Sequence, residues 1–163
     1  MKKLMIVLVV LFAVGSVFGA DNDNCDVTWI IPAVNDIQID DVAIALGTLN
    51  HTIGNANFDN ASNTGTYDYA SNMATARKIT AELTVADVVA GNLFINLDDP
   101  NTGALAGEVE ITSTFTGAAV DAVTDISADS DENLTIGFEI KNVPASTTAA
   151  NISHNCKLTI VAN

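Results

Sequence analysis

Short segments of the chain alternate apolar and polar residues, which is the pattern of half-buried β-strands. The clearest is residues 77–86, whose apolar members are Ile79, Ala81, Leu83 and Val85. Residues 133–141 and 156–162 repeat the alternation, while residues 93–97 and 109–115 form a shorter and a longer segment of the same kind. Weaker alternation predicts four further strands, at residues 27–31, 37–46, 66–71 and 120–126. No segment has the length and periodicity of a long helix.

Turn-forming residues separate these predicted strands. Residues 50–65 are rich in Asn and Gly, and residues 98–103 read Asp-Asp-Pro-Asn-Thr-Gly. Pro presets one backbone dihedral angle, and Asn and Gly tolerate positive φ, so both segments favour turns. Short alternating strands at this spacing are typical of an all-β protein. We therefore expect an antiparallel, immunoglobulin-like β-sandwich of about 7–9 strands.

The N-terminus has the features of a secretory signal peptide. Lys2 and Lys3 precede an apolar run at residues 4–14, and small residues follow it. The run is too short for an ordinary membrane span. Cleavage after Gly19 satisfies the preference for short side chains at the cleavage site. We expect residues 1–19 to be removed and residues 20–163 to form one domain without a transmembrane segment, secreted or at the surface of a prokaryotic cell.

The charge of the chain narrows the choice of partners. Its 163 residues include 20 acidic and 6 basic side chains, a net charge of −14. Without Lys2 and Lys3 four basic residues remain, and 4 − 20 gives −16. Such a surface repels the phosphates of nucleic acids and anionic lipid headgroups. Further copies of the chain or other surface proteins are the expected partners.

Two cysteines, Cys25 and Cys156, lie near opposite ends of the mature chain. Export leads to an oxidising compartment, which favours a disulfide bond between them over two free thiols. In the chain-entropy model, closing so long a loop stabilises the fold by about 4–5 kcal/mol.

The residues that could support catalysis are few. His51 and His154 are the only histidines, and no G-x-S-x-G motif places a nucleophilic serine. Glu108 and Glu110 share one face of a predicted strand, whereas a glycosidase needs two carboxylates in separate environments across a cleft. We interpret all four as surface residues and expect a protein that is not an enzyme.

An acidic stretch at residues 129–133 is the one candidate metal site, and no other cofactor is expected. Asp129 and Asp131 make the D-x-D start of a calcium loop, with Glu132 beside them. The glycine and the distal glutamate of the helix-loop-helix form are missing, so solvated turn residues are the alternative.

Two segments resemble a known group of proteins. The first runs from Val27 through Pro32 to Ile39, and the second reads Tyr-Asp-Tyr-Ala-Ser-Asn from Tyr67 and continues through Arg77 to Leu83. Together they resemble alpha-class chaperone–usher pilins and are similar to other secreted immunoglobulin-like surface proteins of bacteria. The resemblance implies that an N-terminal strand completes the sandwich of a neighbouring subunit. A Cys25–Cys156 bond would instead favour a self-complete domain or a different polymerisation scheme.

These observations favour a non-enzymatic extracellular structural or adhesive protein, such as a pilus-like filament subunit. The alternative is a small module that binds carbohydrate or another extracellular ligand. Its ligand face would be an exposed set formed by Tyr67, Tyr69 and Phe94, of which Phe94 faces away from Leu93 and Ile95. Trp29 is expected in the core because it buries a large area there, with a sugar-stacking surface as its alternative.

Overall fold

The computed structural model describes residues 28–84, 90–98, 100–112 and 118–163. The chain divides into two units, residues 1–32 and residues 33–163. Within the described ranges, the second unit consists of strands and connecting loops. These strands are β1 (Asn35–Ile39), β2 (Ala61–Ser71), β3 (Arg77–Leu83), β4 (Asn92–Leu97), β5 (Ala104–Leu105), β6 (Val109–Glu110), β7 (Val120–Ile126), β8 (Asp129–Lys141) and β9 (Cys156–Ala162).

The strands form two antiparallel sheets. One has five strands in the order β1-β2-β8-β4-β6, and the other has four in the order β5-β7-β3-β9. The prediction of an all-β fold is confirmed, and two antiparallel sheets agree with a sandwich. The strand order does not establish the immunoglobulin-like connectivity.

Strand positions follow the sequence pattern where apolar alternation is strong. β3, β4, β7 and β9 lie at the predicted positions, although the predicted ends of the strands at residues 77–86 and 109–115 fall outside the described residues. β8 and β2 are longer than predicted, β1 and β6 are shorter, and residues 28–31 form no strand. The extra residues of β2, 61–65, pair with residues 136–140 of β8, and extra residues of β8 pair with residues 69–71 of β2. Backbone hydrogen bonding therefore extends both strands where apolar alternation is absent.

The core is formed by the inward side chains of both sheets. Ile79, Ala81 and Leu83 of β3 are buried, as are Leu93, Ile95 and Leu97 of β4. The members of each set lie two residues apart because successive side chains of a strand point to opposite faces. Complete burial of one such Leu or Ile contributes about 1.5–3 kcal/mol.

A bulge interrupts the pairing of β2 with β8. Tyr67 pairs with Leu134, but Tyr69 pairs with Asp131, so two residues of β8 lie opposite Asp68. One of them, Asn133, has a φ of 59°, and its backbone N–H donates to Asp68 Oδ1 at 2.8 Å. A bulge of this kind changes which residues of a strand face the core.

The segment that follows β1 covers one end of β2. Asp40 N–H donates to the Thr66 carbonyl at 3.0 Å, and Thr66 N–H donates to Asp41 Oδ2 at 2.9 Å. A Cβ atom on Gly65 would collide with Asp41 Oδ2 and would lie 2.7 Å from Ile44 Cδ1. The absence of a side chain at position 65 therefore leaves room for the side chains of Asp41 and Ile44 against β2.

Candidate functional site

Tyr67 and Tyr69 are core residues, so the expectation that they form an exposed ligand face is wrong. Their exposed fractions are 0% and 3%. Both lie on the inward face of β2, and each phenol finds a hydrogen-bond acceptor there. Tyr67 donates to the Asp98 carbonyl at 3.1 Å, and Tyr69 donates to Asp129 Oδ2 at 3.2 Å. Buried tyrosines require such partners, and a sequence pattern does not reveal them.

Phe94 lies on the outer face of the five-stranded sheet, as predicted. It alternates with the buried residues Leu93 and Ile95 and is itself half-buried. The ammonium group of Lys141 lies 4.6 Å from the centroid of the Phe94 ring, within the range of a cation–π interaction. One part of the predicted ligand face is thus placed where a ligand can reach it.

Two carboxylates hold Lys141 in this position. Its Nζ atom lies 2.6 Å and 2.8 Å from the two carboxylate oxygens of Glu108, and 3.4 Å from Glu139 Oε2. The hydrogen bond to Glu108 raises the pKa of the Lys141 ammonium group. The side-chain amide of Asn60 donates to the other oxygen of Glu139 at 3.1 Å. Lys141 and both carboxylates therefore belong to one hydrogen-bonded network on the sheet surface.

Glu108 and Glu110 do not have the environments of a catalytic pair. Glu108 is paired with Lys141, whereas Glu110 accepts a hydrogen bond of 2.7 Å from the side chain of Asn92. That hydrogen bond, with a smaller contribution from Thr112, lowers the pKa of the Glu110 carboxyl group. A general acid needs a raised pKa, so the direction of this shift is unfavourable for acid catalysis.

A hollow lies beside Phe94 where β8 carries Gly137 between Thr64 of β2 and Asn96 of β4. Ser62, Thr64, Phe94, Asn96, Glu108 and Glu139 are among the residues that line it. Thr64, Asn96 and Glu108 are exposed, and Phe94 and Glu139 are half-buried. We call this surface the Gly137 hollow. Sequence reasoning identified only Phe94 as a functional candidate here, because the other residues come together through strand pairing.

The three acidic residues proposed for calcium do not come together. They lie in β8 rather than in a turn, and the bulge places Asp129 opposite Ser71 and Asp131 opposite Tyr69. Asp129 accepts the hydrogen bond from Tyr69, while Glu132 is exposed. Among the described residues, no group of three or more His, Cys, Asp or Glu side chains has the arrangement of a metal site.

Trp29 is 76% exposed, which corrects the expectation that it is a core residue. Its neighbours Ile30 and Ile31 are 93% and 74% exposed, and none of the three lies in a strand. Sequence alternation marked this segment as a strand with a buried face. Without a partner strand, however, its apolar side chains remain in water.

Cys156 has no disulfide partner among the described residues and packs against the core. Burial, with a smaller contribution from the charge of Glu82, raises the pKa of its thiol to about 12. Its predicted disulfide partner, Cys25, lies outside the described residues, so the disulfide remains a prediction.

The two histidines are in separate settings. His51 is exposed, hydrogen-bonded through Nε2 to the Asn55 carbonyl at 3.1 Å and in edge-to-face contact with Phe58. His154 is half-buried, and its Nε2 atom has no hydrogen-bond partner among the described residues. The expectation of a surface position is confirmed for His51 and only partly for His154.

No helix in the described part of the chain combines the length and apolar character that crossing a membrane requires. No protein-family model matches the chain, and comparison with curated proteins finds no significant relative.

Proposed function

We propose that the protein is a non-enzymatic extracellular structural subunit that is exported and self-associates through its N-terminal segment. The observation that carries this proposal is the exposure of three consecutive large apolar residues, Trp29, Ile30 and Ile31. Isolated exposed apolar residues are common, but a continuous stretch typically marks an interaction surface. Burying side chains of this size at an interface contributes about 1.5–3 kcal/mol each.

The edge of β9 is the surface we propose as the acceptor of this segment in a second copy. β9 pairs with β3 on one side and with no described strand on the other. The Ile160 carbonyl points away from β3, since it accepts a hydrogen bond from Asn35. Backbone groups two residues apart in a strand point in the same direction, so those of Cys156 and Leu158 also face this edge. Asn35 already occupies the Ile160 carbonyl, so the groups of Cys156 and Leu158 form the part of this edge that can act as a template for strand addition.

This arrangement predicts an open assembly. The N-terminal segment and the β9 edge are different surfaces, so the contact between two copies is heterologous. Repeated heterologous contacts give either a ring or an extended filament. The resemblance to pilins supports the filament, in which strand addition links one subunit to the next.

The chemistry of the titratable groups supports a structural role. The raised pKa keeps the Cys156 thiol protonated at neutral pH, whereas a catalytic cysteine requires a lowered pKa. Glu108 is neutralised by Lys141, and the pKa of Glu110 is lowered rather than raised. None of these three groups has the properties of a nucleophile or a general acid.

The sole tryptophan provides a direct test on residues 20–163. Trp29 fluorescence, analytical ultracentrifugation and electron microscopy would be recorded over a range of protein and salt concentrations, with and without calcium. We expect the emission to shift to shorter wavelength as the protein associates, because the indole leaves water. Salt should promote association by screening the repulsion between acidic subunits.

Two variants make the test specific. Ile31→Asp places a charge in the segment and should abolish association. Val42→Asp is the matched control, since Val42 is also an exposed apolar residue but lies outside the segment, and it should associate like the wild type. A wild-type protein that remains a monomer under all these conditions would rule the proposal out, as would equal effects of the two substitutions.

A further inference from the structure

We propose that the Gly137 hollow binds a pyranose ring of a neutral carbohydrate. The hollow lies on the outer face of the five-stranded sheet, and its lining residues are all in residues 33–163. This inference is independent of self-association, because it uses neither the N-terminal segment nor the edge of β9.

The backbone geometry of β8 does not require a glycine at position 137. Its φ does not lie in the left-handed region, and pairing with Thr64 and Asn96 continues through it without a bulge. A Cβ atom there would lie 3.7 Å from the Asn96 carbonyl and 3.8 Å from Thr64 Cγ2, which are ordinary contacts. Glycine weakens a strand interior, and one established reason for its presence is the close approach of a ligand.

The walls of the hollow combine an aromatic ring with polar side chains. Phe94 offers an aromatic surface of the kind that packs against the C–H groups of a sugar ring. The side chains of Thr64, Asn96 and Glu139 offer hydroxyl, amide and carboxylate groups to the sugar hydroxyls. An apolar surface combined with a few polar groups that fix orientation is the usual composition of a small-ligand site.

Contacts among neighbouring side chains already hold the walls of the hollow in place. Lys141 lies 4.6 Å from the Phe94 ring centroid and is itself held by Glu108 and Glu139. Asn60 restrains Glu139 further through a hydrogen bond of 3.1 Å. Because these side chains are ordered before a ligand arrives, binding loses less conformational entropy.

The charges around the hollow and over the whole chain favour a neutral ligand over an anionic one. Lys141, which contacts the Phe94 ring, is paired with two carboxylates, and the chain as a whole carries −14. An anionic polysaccharide would therefore be repelled. A second copy of this chain would bring the same excess of acidic residues to the hollow. A neutral sugar needs no charge partner and uses the carboxylates as hydrogen-bond acceptors.

Affinity electrophoresis tests this inference. Residues 20–163 would be run through gels that contain dextran, mannan, xylan or galactan, and a neutral glycan array would be probed in parallel. Alginate serves as the anionic comparison and a lysine-rich peptide as the cationic one. We expect retardation by at least one neutral polysaccharide and none by alginate. Failure to bind any neutral glycan would overturn the proposal, as would binding to the basic peptide alone.

Variants locate the binding to the hollow. Gly137→Val fills it with a residue that suits a strand, and Phe94→Ala removes its aromatic wall; each should weaken binding at least tenfold. Thr159→Val changes an outward residue of the other sheet and should leave binding unchanged. Thermal unfolding and circular dichroism check that each variant is folded. Unchanged binding in a folded Gly137→Val or Phe94→Ala protein would contradict the proposed site.

Discussion

The side-chain amide of Asn35 donates a hydrogen bond of 3.0 Å to the backbone carbonyl of Ile160. Asn35 begins β1, the edge strand of the five-stranded sheet, and Ile160 lies in β9, the edge strand of the other sheet. This bond therefore joins the two sheets where their edges meet, and it satisfies a half-buried backbone group that has no strand partner.

Loss of this bond should destabilise the fold. We expect Asn35→Ala to lower the free energy of unfolding by about 1 kcal/mol, and Asn35→Asp to lower it more, because a carboxylate would face the Ile160 carbonyl. Urea unfolding curves measure both values. Asn101→Ala, at an exposed turn residue, is the control and should change the free energy by less than about 0.5 kcal/mol. Equal effects at the two positions would contradict a specific role for Asn35.

Tyr69 should make stability sensitive to alkaline pH. Burial raises the pKa of its phenol above the ordinary value, and the nearby carboxylates of Asp129 and Asp131 raise it further. The unfolded chain ionises near pH 10 and the folded chain only at higher pH. The stabilising contribution is therefore complete below about pH 10 and is lost as the pH rises through the folded pKa.

The variant Tyr67→Phe isolates this titration, since it leaves Tyr69 as the sole tyrosine. Phenolate absorbance of the folded variant should appear at higher pH than that of the same protein in urea. Midpoints that coincide would show that the burial of Tyr69 does not affect its ionisation.

The state of the cysteines can be read from mass and reactivity. If Cys25 and Cys156 are bonded, the mass of the non-reduced mature protein should be lower by two hydrogens than that of the reduced protein. After reduction we expect Cys156 to react slowly with iodoacetamide at pH 8, because its raised pKa leaves little thiolate. Unfolding in urea should accelerate the reaction. Two thiols that are alkylated without reductant would contradict the disulfide.

Two glycines should respond oppositely to the same substitution. Gly65→Ala forces a methyl group against Asp41 Oδ2 and Ile44 and should destabilise the fold by about 1–3 kcal/mol. Gly137→Ala meets only ordinary contacts and should be neutral or slightly stabilising. Chemical unfolding of both variants measures the difference. Similar losses would mean that the space above Gly137 is not free.

Sequence patterning predicts those strands whose inward positions carry large apolar side chains. It finds β3, β4 and β9 because each alternates through Ile, Leu or Val over several residues. It misses the first half of β2, where backbone pairing with β8 supplies the order that alternation does not. The extent of β2 is therefore a property of two segments about 70 residues apart, which a local pattern cannot reveal.

The positions of the candidate site residues, like those of the strands, are predictable only where alternation within one strand determines them. Phe94 was identified because its position depends only on alternation within β4. The exposure of Tyr67 and Tyr69 was mispredicted because phenol groups bury once acceptors such as Asp98 and Asp129 are in place. Lys141 and Glu108 meet only through tertiary contact, so no sequence spacing indicates their pairing.

The bulge in β8 determines which insertions and deletions this strand can tolerate. One extra residue, in the region of Asn133, shifts the alternation of the strand between Leu134 and Asp131. Deletion of a single residue there would remove the bulge and restore regular alternation, with Asp131 still opposite Tyr69. Deletion of two residues would instead place Ser130 opposite Tyr69 and remove the acceptor of its hydrogen bond. Lineages that carry this fold should therefore tolerate the loss of one residue in this part of β8 but not the loss of two.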